Sequence, residues 1–517
     1  MSGITEFLTA HAQMQPVSFH MPGHKGSALY RRFGYGEFLD RFFDCDITEI
    51  PGADNLFQAE DIIAETMAKY RRLYDTKASY LLVNGSSSGI IASILASVPA
   101  GKKLIMARNC HKAVFNALTL GGIQPVYAYS SEIEEYGISG PVEAEEIARL
   151  LEEHPEAEAV ILPSPNYYGI CSDIRAIAGV VHAAGKVLIV DQAHGAHLKF
   201  FGSCQGRAGA GELPMLPAAR ELPMPPAAED CGADLVIGSI HKTLGSLTQS
   251  AVLNVCSDRV SLYHLEDKLQ AIESTSPSYL LMGSLDVGAN LLLEHGPQLM
   301  KEWQENLLWF YARAKEIPGL RIMSAGTMDL TKINLDMSAC GLDGGQLEDA
   351  LMEQDIYAEL VTGNILMCMT GIGNTRSDYE KLLSALEKIS REHGKTSGEH
   401  EQVGGEHGKA DPDFAEGDGP AFASGDGPAF ASGRSGAFLW TKRRQQHPLP
   451  IEKELVDIDF CEGRVCAASI IPYPPGIPLI CPGEEIGAEE IAYVKELRAR
   501  GEKVMGIDSD FRIVVGR

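Results

Sequence analysis

This chain is short of paired cysteines, aromatic rings, positive charge and long apolar runs. Its 11 cysteines are scattered singly through 517 residues, and no two form a CxxC pair. Cys461 and Cys466 come nearest, with no matching pair elsewhere. Structural zinc chemistry draws on two such pairs, so no metal site is expected. Single thiols fit a reducing compartment better than a disulfide framework. No apolar stretch approaches the ~18 residues that a membrane helix needs. Met1–Met14 lacks the apolar centre of a signal peptide, so a cytoplasmic protein with no membrane partner is expected. Lys and Arg number 44 against 70 Asp and Glu, a formal charge of −26. Nucleic-acid binding requires basic surface to neutralise phosphates, and that class is excluded. An acidic surface concentrates cationic ligands, although solubility alone would account for it.

What the chain does have is 45% hydrophobic residues and enough length for two to four domains. Short apolar runs stand at Tyr80–Val83, Leu104–Ala107, Pro125–Tyr129, Ala159–Leu162, Val187–Val190 and Leu235–Ile237. Helical stretches such as Ile174–Ala184 separate several of them, and Ile90–Val98 reads as an apolar helix. Such alternation predicts an α/β fold, a mostly parallel sheet covered on both faces. The division expected is an N-terminal arm at 1–50, a large domain at 51–300 and a small α+β domain at 301–390. A low-complexity linker at 391–445 and a C-terminal domain at 446–517 complete it. The small domain should hold helices at Trp303–Ala314, Gly345–Gln354 and Asp378–Ile389, and a strand near Lys332–Leu335. A Pro/Ala/Glu-rich insert lies between Ala208 and Glu229. The linker contains a direct repeat, Gly417–Ser424 and Gly425–Ser432, and its composition reads as disordered.

Ligands of such sheets sit beyond the carboxyl ends of the strands, and four segments there carry chemistry. Lys242 follows Leu235–Ile237, in Ser239-Ile240-His241-Lys242-Thr243. Asp191 ends Val187–Val190 and opens Asp191-Gln192-Ala193-His194-Gly195-Ala196-His197. A lysine and an aspartate delivered to one crevice suit pyridoxal 5′-phosphate (PLP): the lysine forms an imine with the aldehyde, and the acid keeps the pyridine nitrogen protonated. Asn84-Gly85-Ser86-Ser87-Ser88-Gly89 offers hydroxyls and N–H groups at a helix start, suited to a phosphate. His111 follows the next strand, where its ring would stack on the pyridine. Ala193 would lie flat against the ring if the strand continued past Asp191. Each feature alone has an ordinary reading: a surface lysine, a capping aspartate, a common turn, a packed histidine. Their joint occurrence at strand ends is the signal.

Together these segments resemble the Orn/Lys/Arg decarboxylases, PLP enzymes of fold type I, the aspartate aminotransferase-like fold. The resemblance begins at His20-Met21-Pro22-Gly23-His24-Lys25-Gly26 and Asp46-Ile47-Thr48-Glu49-Ile50-Pro51-Gly52. It continues through Val83–Ser87, Arg108–Lys112, the Asp191 and Lys242 segments, Ser274–Tyr279, Pro472–Pro478 and Pro482–Glu484. It implies that Ser86 and Ser87 hold the phosphate, with Gly85 at the turn. His111 would stack, Asp191 would pair with the ring nitrogen, and His241 would flank Lys242. Ala193, His194 and Ser239 complete the implied cofactor-binding set. The implied reaction is loss of CO2 from a basic L-amino acid (arginine, lysine or ornithine), with Lys242 or His241 returning a proton to Cα. Homodimers or larger homo-oligomers are implied, with Ser274–Tyr279 reaching a partner's cofactor.

Two positions depart from the family's wording. Gln192 replaces a glutamate, on the strand face opposite Asp191, with little effect expected. Ala467-Ala468-Ser469 stands where an acid usually precedes Pro472-Tyr473, leaving Asp46, Glu49 and Glu484 as candidate counter-charges for a distal cation. One rival is another fold-type I enzyme such as an aminotransferase, with Arg376 gripping a carboxylate. A catalytically weak regulatory homologue is the other, favoured by Ala468 and opposed by the intact Lys242, Asp191 and His111.

Overall fold

The computed structural model describes residues 3–201, 222–393, 442–473, 478–501 and 503–517. The Gly417–Ser432 repeat, most of the linker and the first part of the Ala208–Glu229 insert lie outside the described residues. The apolar runs become strands of one seven-stranded sheet: β1 (Ala78–Leu82), β2 (Lys103–Ala107), β3 (Gln124–Ala128), β4 (Ala157–Pro163), β5 (Val187–Asp191), β6 (Leu235–Gly238) and β7 (Ala251–Val255). Their spatial order is β1-β7-β6-β5-β4-β2-β3. Pairs among β3, β2, β4, β5 and β6 are parallel, and β7 runs antiparallel to both its neighbours. β1 therefore points the same way as β6, and six carboxyl ends share one edge. Leu188, Ile189, Val190, Leu235, Val236 and Ile237 are all fully buried. A parallel sheet sandwiched between helices buries both faces of a strand, which is why the runs are unbroken rather than alternating.

β7 was not read from the sequence. Its Asn254 interrupts the apolar text, and it is buried because Ser79 donates to it at 2.7 Å and it donates to Glu229 at 2.9 Å.

The helix expected at Trp303–Ala314 is the last third of a 36-residue helix, Tyr279–Ala314, which runs through position 300. At 1.5 Å per residue it is about 54 Å long, and it contains Pro297. Its first half packs on the large domain, where Asp286 receives Lys69 at 2.7 Å. Its second half packs on the small one, where Trp303 donates to Thr370 at 2.8 Å. The small sheet is antiparallel, ordered Arg321–Ile322, Lys332–Asp336, Ile365–Met369, Leu360–Thr362. Helices Gly344–Met352 and Arg376–His393 accompany it. Val17–Phe19 of the arm pairs in parallel with Ile356–Ala358, so the arm is anchored to the small domain.

The C-terminal segment gathers its own core around Ile458, Cys466, Ile480, Val494 and Ile513. Among the described residues no helix is long and apolar enough to cross a membrane.

Candidate active site

Four loops leave the shared edge and converge. After β1 the chain turns at Gly85, whose φ of +75° only glycine adopts without strain, and enters helix Gly85–Ser97. The helix starts five residues earlier than the apolar text suggests, so Ser86 and Ser87 lie in its first turn, beside N–H groups without intrahelical partners. Both are half-buried. Ser88 is committed elsewhere: it bonds Glu273 and donates to the Gly85 carbonyl at 2.7 Å. Glu273 also accepts from the N–H groups of Val83 and Asn84, at 3.2 and 3.1 Å. That carboxylate, which the sequence did not announce, holds the loop from behind.

After β2, His111 is the N-cap of helix Lys112–Gly121, its Nδ1 accepting from the Ala113 N–H at 3.2 Å. Burial and the nearby Lys242 and Lys112 push its pKa down to about 4, so the ring is neutral at pH 7.

β5 ends at Asp191. The carboxylate is 6% exposed, and its Oδ1 accepts from the Ala193 N–H at 3.1 Å. Burial raises its pKa, against the pull of Lys242 and of that N–H. A buried carboxylate in this state calls for a cationic partner. The strand does not continue beyond it: Gly195 N donates to Gln192 O at 2.9 Å in a turn. Strand alternation therefore does not place Ala193, which serves Asp191 through its backbone. Gln192 points away, donating to Glu229 at 2.8 Å and accepting from Ala228 N at 2.7 Å.

After β6, Lys242 sits half-buried on the one-turn helix Ile240–Thr243. Its Nζ lies 2.8 Å from His194 Nε2. Burial pushes the amine down to about 8, with Asp191 and Glu359 opposing and Lys332 assisting. His241 donates from Nδ1 to the Ser250 carbonyl at 2.7 Å, and burial brings it to about 4.

The lysine's turn is held by backbone. Gly23 N donates to His241 O at 2.7 Å, and Ile372 N to Thr243 O at 3.0 Å. A Cβ on Gly23 would lie 2.5 Å from the Thr243 carbonyl carbon. This close approach accounts for the glycine in His20–Gly26.

Four further residues were missed by sequence reading. Tyr167 places its ring 4.8 Å from that of His194; the Ser164–Gly169 loop follows β4 at the same edge, and that position was the available signal. Glu359 accepts from Met21 N at 2.8 Å and interacts with Lys242, Lys25 and Lys332. Asp329 and Lys332 enter from the small domain.

Two other expectations fail. Glu484 is no substrate counter-charge: fully buried, it takes two 2.7 Å bonds from Arg108. Arg376 is stacked 4.5 Å over Trp309 and donates to Glu305 O, which removes it as a carboxylate grip. Asp46 and Glu49 are exposed, with Glu49 accepting from Asn55 at 3.3 Å.

The residues present fit PLP. Ser239 Oγ, His194 Nδ1 and Asn109 Oδ1 are buried without hydrogen-bond partners, a costly state that a polar bound group would relieve. A lysine, a buried aspartate, a neutral imidazole and a serine-bearing helix start share the same edge.

Sheet order, the antiparallel β7 and this constellation define the class: a PLP enzyme scaffold of fold type I. The chain belongs to the Orn/Lys/Arg decarboxylase family, matching its major domain over residues 3–329 and its C-terminal domain over 441–515. It is 29% identical to an arginine decarboxylase of Bacillus subtilis (strain 168) over 510 residues, covering 96% of this chain and 94% of that one. The Pseudomonas aeruginosa lysine decarboxylase LdcA is 22% identical over 599 residues, covering 97% and 77%. The solved lysine decarboxylase A from Pseudomonas aeruginosa shares the fold, with a TM-score of 0.69 at 19% identity over 99% of this chain and 80% of that one.

Proposed function

We propose that this chain binds PLP and decarboxylates a basic L-amino acid, with arginine the favoured substrate and lysine or ornithine the alternatives. The observation that carries the reading is Lys242 beside Asp191 and His194, with its amine brought to about 8. Arginine is favoured because relatives that this chain matches at 27–29% identity bear that name, against 21–22% for lysine decarboxylases. When bound, PLP supplies an electron sink for the pair left on Cα as CO2 departs.

The protein's part is to hold and to move protons. Lys242, partly neutral near pH 7.5, would be the amine that holds the cofactor. Asp191 would hold the ring nitrogen and keep it charged, a preorganised electrostatic effect. His111, neutral, presents a flat uncharged face. Ser86, Ser87 and the first-turn N–H groups would take the phosphate. His194, in hydrogen-bond reach of Nζ, fixes the direction of the lysine's lone pair. Lys242 returns a proton to Cα once CO2 is gone, because neutral His241 spends its one N–H on the Ser250 carbonyl. Ala468 leaves the distal cation without the usual acid, and exposed Asp46 and Glu49 are the carboxylates suited to meet it across a homo-oligomer interface. Exposed Ser274–Ser276 and the apolar Ile4, Phe7 and Leu8 of the arm fit such an interface. The five-part division and a cytoplasmic location belong to the same proposal.

The test is incubation of purified protein and PLP with L-arginine, L-lysine and L-ornithine separately. CO2 and agmatine from arginine are expected, and both should vanish in Lys242→Ala. Keto acid without CO2 would replace this reading with transamination. Borohydride reduction should leave its mark on Lys242, and a mark elsewhere would overturn the assignment.

A further inference from the structure

Behind Lys242 lies a closed circuit of contacts, of which the proposed chemistry uses only the first. Lys242 Nζ meets His194 Nε2 at 2.8 Å, and the His194 carbonyl accepts from Lys332 Nζ at 2.5 Å. Lys332 pairs with Asp329 Oδ2 at 2.6 Å, and Asp329 Oδ1 meets His197 Nε2 at 3.2 Å. His197 Nδ1 then meets Thr243 Oγ1 at 3.2 Å, and Thr243 is the chain neighbour of Lys242. Thr331 completes the satisfaction of Asp329 through its N–H at 3.0 Å and its hydroxyl at 2.7 Å.

His197, Asp329 and Lys332 are almost wholly buried, 0%, 0% and 1% exposed. Apolar side chains of similar size would stabilise such a place at least as well, since desolvating ions costs more than their pairing returns. The circuit also crosses a boundary. His194, His197 and Lys242 belong to the large domain, whereas Lys332 opens an inner strand of the small sheet, Lys332–Asp336, and Asp329 lies three residues before it.

We propose that His197, Asp329 and Lys332 are positioning residues that lock the Lys242 amine and the His194 ring in register with the small domain, so that the lysine's reactivity depends on where that domain sits. The proposal rests on Lys242 being the reactive lysine. The charged and titratable groups facing Lys242 are Asp191 at the end of β5, His111, His194, His241, Glu359 and Lys332. Lys332 is the one that joins the small domain to the amine through the circuit.

The experiment measures the pH dependence of reductive methylation of Lys242 in the apoprotein, read by peptide mass spectrometry. Lys332→Met removes a neighbouring like charge, so the midpoint should rise by about one pH unit. Labelling at pH 7.5 should then fall roughly tenfold. Lys332→Arg should restore the wild-type midpoint. Thr243→Val opens the circuit without removing a charge. It should speed amide hydrogen exchange over 240–244 by about tenfold and leave the midpoint in place. A folded Lys332→Met protein with a lower Tm and the wild-type midpoint would reduce Lys332 to a structural role and overturn the proposal. If Lys332→Met does not fold, Thr243→Val decides alone, and unchanged exchange overturns it. Labelling needs neither PLP nor an amino acid, so failure here is distinguishable from failure of the decarboxylase reading.

Discussion

At the scale of single residues, the site is a set of groups whose pKa values burial moves away from their ordinary ones. His111 and His241 are neutral at pH 7, and Lys242 titrates near 8. Asp191 is the exception that must stay charged, because burial favours its protonated form unless a cation arrives. Asp191→Asn keeps the shape and the acceptor from Ala193 N while losing the charge. We expect PLP to be retained with weakened affinity and kcat to fall by about a hundredfold or more. Steady-state kinetics with L-arginine beside a PLP titration check this, and kcat within threefold of wild type would remove Asp191 from its role. Lys242, Asp191, His111 and the serine loop were legible in the sequence because each stands at, or within a few residues of, the carboxyl end of an apolar strand. Tyr167 was passed over although its loop follows β4 at the same edge, and Glu359 was not legible, since nothing local distinguishes an acid that tertiary folding brings there. The His197–Asp329 contact joins residues from two domains and leaves no local trace.

At the scale of elements, unbroken apolar runs announced the parallel strands because burial on both faces removes polar alternation. β7 escaped because its Asn254 is satisfied only through Ser79 and Glu229, partners from distant segments. The first half of helix Tyr279–Ala314 escaped for a related reason: Ser284, Leu285, Val287, Gly288, Ala289 and Leu291 are all buried, so no amphipathic stripe appears. The turn bearing Lys242 is set by backbone-to-backbone approach, which makes Gly23 critical. In Gly23→Ala the new Cβ would lie 2.5–2.8 Å from Thr243 backbone atoms, and the turn must shift. We expect a loss of about 1–3 kcal/mol and a marked drop in PLP retention. Gly179→Ala, inside helix Ile174–Ala183 with open space around it, is the control and should gain up to about 1 kcal/mol. Equal melting temperatures and equal PLP content in the two variants would refute the account of the turn.

At the scale of the whole molecule, the C-terminal unit is bolted to the edge that carries the chemistry. Arg108, three residues before His111, donates to both oxygens of Glu484 at 2.7 Å and to the Pro478 and Leu479 carbonyls at 2.7 and 2.8 Å. Tyr127 of β3 reaches the Pro482 carbonyl at 2.8 Å, a second tie across the same junction. The pair is 2% and 0% exposed, so removing either charge strands the other in a dry interior. Glu484→Gln should therefore cost about 3–5 kcal/mol. Because Arg108 fixes the loop that leads to His111, the same variant should bind PLP more weakly although it lies outside the site. Arg108→Met combined with Glu484→Met removes both charges together and should recover most of the stability, because neither ion is then left unpaired. PLP affinity should recover less, since the two carbonyl contacts that aim the loop remain lost. Calorimetric melts and PLP titrations on the single and double variants separate these effects. A double variant as unstable as Glu484→Gln would show that this junction is held by something other than the buried pair.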